Sequence, residues 1–102
     1  MNSKLKNEHT DCFYRAVLGL RNLDECYAFF EDICTVSEIQ AMAQRFYVAR
    51  LLDEGRTYQE ISVATGASTA TISRINKCLE YGADGYRDVL RKLEAMKASE
   101  DK

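Results

Sequence analysis

The sequence predicts an all-α chain of six helices. Three observations carry that expectation. Proline is absent from all 102 residues. No stretch alternates apolar and polar residues for long enough to make a convincing strand. Helix-starting side chains recur along the chain: "NLDE", "TVSE" and "TYQE" set Asn22, Thr35 and Thr57 three residues ahead of Glu25, Glu38 and Glu60. At that spacing the first side chain caps a helix and the carboxylate answers the cap's own N–H.

The elements follow in order. "TDCFYRAVLGL" predicts a first helix from about Asp11 to Leu18, with Phe13, Ala16, Val17 and Leu20 at helical spacing. A second starts after Asn22. The third and longest spans about Val36 to Glu54 and stops at Gly55, with Ile39, Met42, Ala43, Phe46 and Ala49 on one face and Leu51 and Leu52 off it. A helix apolar on more than one side is covered on more than one side. A monomer core and a dimer core fit that pattern equally, and the aromatics of "CYAFF", Phe13, Tyr14, Phe46 and Tyr47 suit either. Thr57 caps a short fourth helix, Tyr58 to Ala64. Gly66 supplies a left-handed residue, and Ser68 or Thr69 caps a fifth helix running to about Leu79. The sixth starts near Gly85, with Tyr86, Val89, Leu90, Leu93 and Met96 in one stripe and Arg87, Arg91, Lys92 and Lys97 off it. The closing "ASEDK" is expected to fray. Short connections and the lack of repeats give a single domain over residues 1–102.

Composition narrows the function. The content of 46 % apolar and 29 % charged residues suits a folded, soluble chain. No apolar run approaches the roughly 18 residues of a membrane span, and the polar N-terminus lacks a signal-peptide core, so a cytoplasmic protein is expected. Cys12, Cys26, Cys34 and Cys78 form no C-x-x-C pair, and the lone His9 lies in the polar N-terminal segment. The cysteines read as reduced, mostly buried thiols, with no metal site and no cofactor. There is no Gly-rich phosphate loop and no nucleophile signature, so no enzyme is expected.

The segment "TYQEISVATGASTATISRINKCL" reads as helix, tight turn, helix. Counted from Gly66, the residues Ile61, Ser62, Ala67, Ile72 and Ile75 fall where the two crossing helices of a helix-turn-helix touch, and Ser62 is small enough for the crossing. On the second helix Ile72, Ile75 and Leu79 point one way; Ala70, Ser73, Arg74 and Lys77 point the other. That outer face is small, hydroxylated and basic. Small side chains let a helix enter the major groove, hydroxyls reach base edges or phosphates, and Ala meets a thymine methyl. The open N–H groups at its start favour a phosphate. Ser68 or Thr69 then caps the helix while Ser68, Thr69 and Thr71 offer short contacts, and Arg56 and Lys77, with Arg87 or Arg91, add phosphate charge. A plain helical hairpin without a DNA role has the same pattern.

Net charge is −2, with −3 over residues 1–40, +1 over 41–80 and zero over 81–102. Such a chain does not coat DNA non-specifically. It suits a sequence reader with local charge that acts in two copies, each placing one short helix on a half-site.

From Cys34 to Leu79 the stretches "TVSEIQAMAQR", "LLDEGRTYQEI" and "GASTATISR" resemble the Trp repressor family in order and nearly in spacing, and the whole chain is similar to the YerC/YecD group of Trp-repressor-like proteins. The resemblance implies a six-helix intertwined homodimer with a shared N-terminal core and a DNA reader in helices four and five. It carries DNA contacts onto Tyr58, Gln59, Ser62, Thr69, Ala70, Thr71 and Ser73. It also implies a ligand pocket for tryptophan at Thr35, Arg45 and Arg74. Two positions depart from the family: Ile75 replaces a glycine that makes room for the indole, and Cys78 replaces a serine. Ile75 is therefore expected to plug the pocket and to abolish tryptophan binding. Arg45 then pairs with a carboxylate and Arg74 with a phosphate, or a different small anion lies between them.

The resulting expectation is a homodimeric, DNA-binding transcriptional regulator that does not respond to tryptophan. Two alternatives stay open: a repressor sensing another small molecule between Arg45 and Arg74, and a helical protein-interaction module without DNA binding.

Overall fold

The structure is a computed structural model that describes residues 3–100. Those residues form six α-helices and no strand. They are α1 (Glu8–Leu18), α2 (Leu23–Ile33), α3 (Val36–Asp53), α4 (Tyr58–Thr65), α5 (Thr69–Tyr81) and α6 (Gly85–Glu100). Two compact units are present, Met1–Ile39 and Gln40–Lys102.

Local chemistry sets the helix starts. The Thr57 N–H donates to Glu60 Oε1 at 3.2 Å while the Glu60 N–H donates to Thr57 Oγ1 at 3.2 Å. Thr35 and Glu38 make the same reciprocal pair at 2.8 and 3.1 Å. Asn22 caps α2, but the Glu25 carboxylate takes the Arg21 N–H at 3.1 Å in place of the cap's own. The first helix begins three residues before the expected Asp11, because Asn7 caps it by accepting the Thr10 N–H at 2.8 Å. Nothing acidic answers that cap, so the start shows no box in the sequence.

The ends are equally local. Gly55, at φ +85°, closes α3: its N–H donates to the Leu52 carbonyl and the Arg56 N–H to the Leu51 carbonyl, at 3.0 and 3.1 Å. This is a Schellman closure, which needs a left-handed residue that glycine supplies without strain. Helix α4 runs one residue and α5 two residues beyond the expected ends. Helix α6 stays helical through Glu100, so the expected fraying of 98–102 is not seen up to there, and residues 101 and 102 lie outside the described residues.

The core lies in the second unit. Val48 and Ala49 of α3 cluster with Ile61, Ala67, Ile72 and Ile75, and Leu51, Leu52 and Tyr86 pack on them. This corrects the expected face of α3: Met42 and Ala43 are exposed, Ile39 and Phe46 half-buried, and only Ala49 of that stripe is buried. The side of α3 that the α4–α5 pair covers carries Val48 instead. On α6 only Leu90 of the stripe is buried; Val89 and Met96 are exposed.

The first unit holds no buried residue on α1 or α2. Its rings touch one another: Phe13 meets Phe29 at 6.1 Å between centroids, and Phe29 meets Phe30 edge-on at 5.4 Å. Yet Leu18 and Leu23 are 83 and 75 % exposed. The cysteines are free as expected but not buried. Cys12 and Cys78 are exposed and Cys26 and Cys34 half-buried, because three of the four lie on elements without an interior.

Candidate nucleic-acid interface

The turn between α4 and α5 is held from both sides. Gly66 takes φ +76°. Beside it Thr65 Oγ1 donates to the Ile61 carbonyl at 2.8 Å and accepts the Ala67 N–H at 3.1 Å, which spans the turn with one hydroxyl. Ser68, not Thr69, caps α5: its Oγ accepts the Thr71 N–H at 3.2 Å and its hydroxyl donates to Thr71 Oγ1 at 3.0 Å. Ile61, Ala67, Ile72 and Ile75 are buried and Ser62 is half-buried, so the crossing positions read from the sequence face inward. Two side chains from outside the pair also reach it. Gln44 Nε2 donates to the Thr65 carbonyl at 3.0 Å, and Arg87 Nε donates to the Leu79 carbonyl at 3.0 Å.

The opposite face of α5 is open. Ser68, Thr69, Ala70, Arg74 and Lys77 are exposed, and Thr71 and Ser73 half-buried. The first turn of α5 contains no acidic residue, so nothing there opposes an anion at its positive end. Tyr58 and Gln59 are exposed in the first turn of α4. Arg56 lies beside them but is engaged by acids, with Glu60 at 3.4 Å and Glu54 at 3.8 Å. Arg87 was expected to offer phosphate charge. It is instead committed to Leu79 and to Asp53, 3.6 Å away, and Arg91 pairs with Asp88 at 3.6 Å.

The family model described as Trp repressor protein matches residues 8–94. The chain belongs to the Trp repressor family. It is 50 % identical over 91 residues to the uncharacterized protein YerC of Bacillus subtilis (strain 168), covering 89 % of this chain and 88 % of that one. A TrpR-like protein from Eubacterium eligens superposes with a TM-score of 0.88 at 53 % identity, covering 91 % of this chain and 96 % of the other. A candidate Trp repressor from Staphylococcus aureus also gives 0.88, at 44 % identity, over 92 % and 95 %. The Trp repressor family is a family of DNA-binding regulators.

The ligand positions that the Trp repressor family suggests fall in both units. Thr35 belongs to the first unit, where its hydroxyl accepts the Glu38 N–H at 3.1 Å as the cap of α3. Arg45 and Arg74 are exposed. Among the described residues neither makes an ion pair, so the expected carboxylate partner of Arg45 is not found. Ile75, 5 % exposed, is part of the core cluster. Cys78 lines an apolar cavity of about 490 Å³ with Phe46, Gly82, Tyr86 and Val89. Burial raises the Tyr86 phenol above its usual range, the nearby Cys78 adds to this, and the charge of Arg45 pulls it partly back. No helix among the described residues is long and apolar enough to cross a membrane.

Proposed function

We propose that the chain is a cytoplasmic, sequence-specific DNA-binding transcriptional regulator that works as a homodimer and does not respond to tryptophan. The observation that carries the reading is the outer face of α5. It is small, hydroxylated and basic, and it stays open on a helix pair whose opposite face fills the core. In this reading Ser68, Thr69, Ala70, Thr71 and Ser73 approach base edges and phosphates, Tyr58, Gln59 and Ser62 contribute from α4, and Arg56 and Lys77 supply backbone charge.

Dimerisation is supported by the first unit, whose Leu18, Leu23 and Tyr27 are exposed on helices that bury nothing. Large apolar side chains left exposed on helices without an interior support an interface. Two copies also suit the weak charge, because one short helix reads only a few base pairs. The tryptophan claim rests on Ile75, a branched side chain at a position where room for an indole requires glycine. A second reading, a different anion bound between Arg45 and Arg74, is favoured by the lack of ion pairs on both; a protein-interaction module is the third.

The test is selection from a random duplex library with purified, unliganded protein, with Ser73→Glu as the control. Enrichment of a two-fold-symmetric site that the control loses upholds the reading. No enrichment at low salt sinks it and turns attention to a metabolite screen by thermal stabilisation. Calorimetric binding of tryptophan at micromolar concentration would overturn the claim about Ile75.

A further inference from the structure

The last carbonyls of a helix have no partner inside it and go to water or to a side chain brought from elsewhere. In the α4–α5 pair each helix has a last-turn carbonyl taken by a side chain from another helix. Gln44 of α3 reaches Thr65 at 3.0 Å, and Arg87 of α6 reaches Leu79 at 3.0 Å. Arg87 continues to Asp53 in the last turn of α3, 3.6 Å from its guanidinium. Helix α5 has no basic residue in its own last turn, so the positive charge that suits its negative end comes from α6. The planar guanidinium serves both partners from fixed directions, which an ammonium on a flexible stem does poorly.

None of these bonds is strong by itself. The Arg87–Asp53 pair is close to half exposed on both sides, and exposed pairs add little stability. Direction is what they add. The packing of Val48 and Ala49 on Ile61, Ala67, Ile72 and Ile75 sets how near α3 lies to the pair, but apolar contact is non-directional. A hydrogen bond weakens steeply when its angle is lost, so donors at the ends of α4 and α5 resist rotation about that apolar pivot.

We infer that Gln44 and Arg87 are positioning residues that fix the angle of α5, the reading helix, against α3. The inference rests on the DNA reading proposed above. Neither residue touches DNA in it; both act through the backbone of the helices they hold.

Arg87→Met and Gln44→Met keep the length of the stem and remove the donors. Water can take over both carbonyls at these helix ends, so each variant is expected to fold, as a thermal melt will show. For the site the unmodified chain selects, affinity should fall about tenfold in Arg87→Met, the size of one mismatched base pair. Affinity for a scrambled duplex and the salt dependence should not change. Asp53→Asn added to Arg87→Met should contribute little more, because the bridge is already gone. Arg87→Lys should keep the charge without recovering the selectivity. A uniform weakening with a salt slope reduced by about one would mean a direct phosphate contact and overturn the inference, as would unaltered selectivity in both variants. Residual dipolar couplings separate this from failure of the DNA reading. If the unmodified chain selects no duplex, a change in the direction of α5 relative to α3 in the variants still upholds the bracing, and an unchanged direction refutes it.

Discussion

Residues 40–102 bury Val48, Ile61 and Ile72 completely, whereas α1 and α2 carry apolar patterns as clear as any in the chain and bury nothing. Helical spacing of Phe13, Val17, Phe29 and Phe30 makes a face apolar. It does not say what covers the face. In the second unit, cover is supplied by the same chain, because a turn of three residues after α4 folds α5 back beside it. In the first unit rings meet rings, while Leu18, Leu23 and Tyr27 are left to water. A core that closes within one chain and an apolar surface that the same chain leaves open can therefore share one sequence signature.

Substitutions that separate the two kinds of apolar residue test this contrast most sharply. Ile72→Ala should lower the unfolding free energy in denaturant by about 2–5 kcal/mol, because a fully buried side chain leaves a cavity that the α4–α5 crossing cannot close. A change below about 0.5 kcal/mol, the size usual at a surface site, would show that the second unit lacks a true core. Leu23→Ser with Tyr27→Ser should act elsewhere. If the first unit is a dimer surface, each removes roughly 1.5–3 kcal/mol of association. Sedimentation should then show monomers at concentrations where the parent is paired. If the parent is itself a monomer, or the variant stays paired, the contrast between the units needs another explanation.

Smaller effects probe the connections. Gly66→Ala has open space for its methyl but a φ of +76°, so the strain alone should cost about 1–2 kcal/mol. Gly66→Asn should lose less, and equal losses would mean that the turn adjusts its backbone.

The smallest effect is one of pH. The Thr35 N–H, then its hydroxyl, holds the Glu38 carboxyl below the usual carboxylate range. The Thr57 N–H, then the Thr57 hydroxyl and Arg56, does the same for Glu60. A carboxylate whose folded pKa is depressed stabilises the fold above its ordinary value of 4.5 and loses that contribution as pH falls through the folded value. Thermal melts from pH 6 to pH 3 should therefore fall more steeply in the parent than in Glu38→Gln/Glu60→Gln, and parallel curves would show that neither capping carboxylate matters.

Legibility in the sequence followed the range of the interaction. The two reciprocal caps at Thr35 and Thr57, and the glycine turns at Gly55 and Gly66, join residues three to five apart, and each could be read directly. The inward positions of α4 and α5 could be read because both helices pack on each other across a fixed turn. Asn7 was missed because its cap has no acidic reply. Gln44 was missed for a different reason: its partner is 21 residues away and a single amide on a long helix carries no pattern. Arg87 reads from the sequence as a cation for phosphate, since nothing in "GYRDVL" announces a carbonyl at Leu79. The buried side of α3 was misjudged because a helix apolar all round leaves the choice of side to its neighbours.

The fastening of the α4–α5 pair has a consequence for divergence. What holds it in place is the caps at Thr57 and Ser68, the Gln44 and Arg87 donors on two backbone carbonyls, a glycine, Thr65 and inward apolar side chains. Thr69, Ala70, Arg74 and Lys77 carry none of that duty. Those positions form an interchangeable cassette: a gene copy could rewrite them and acquire a new preference without first acquiring a new fold.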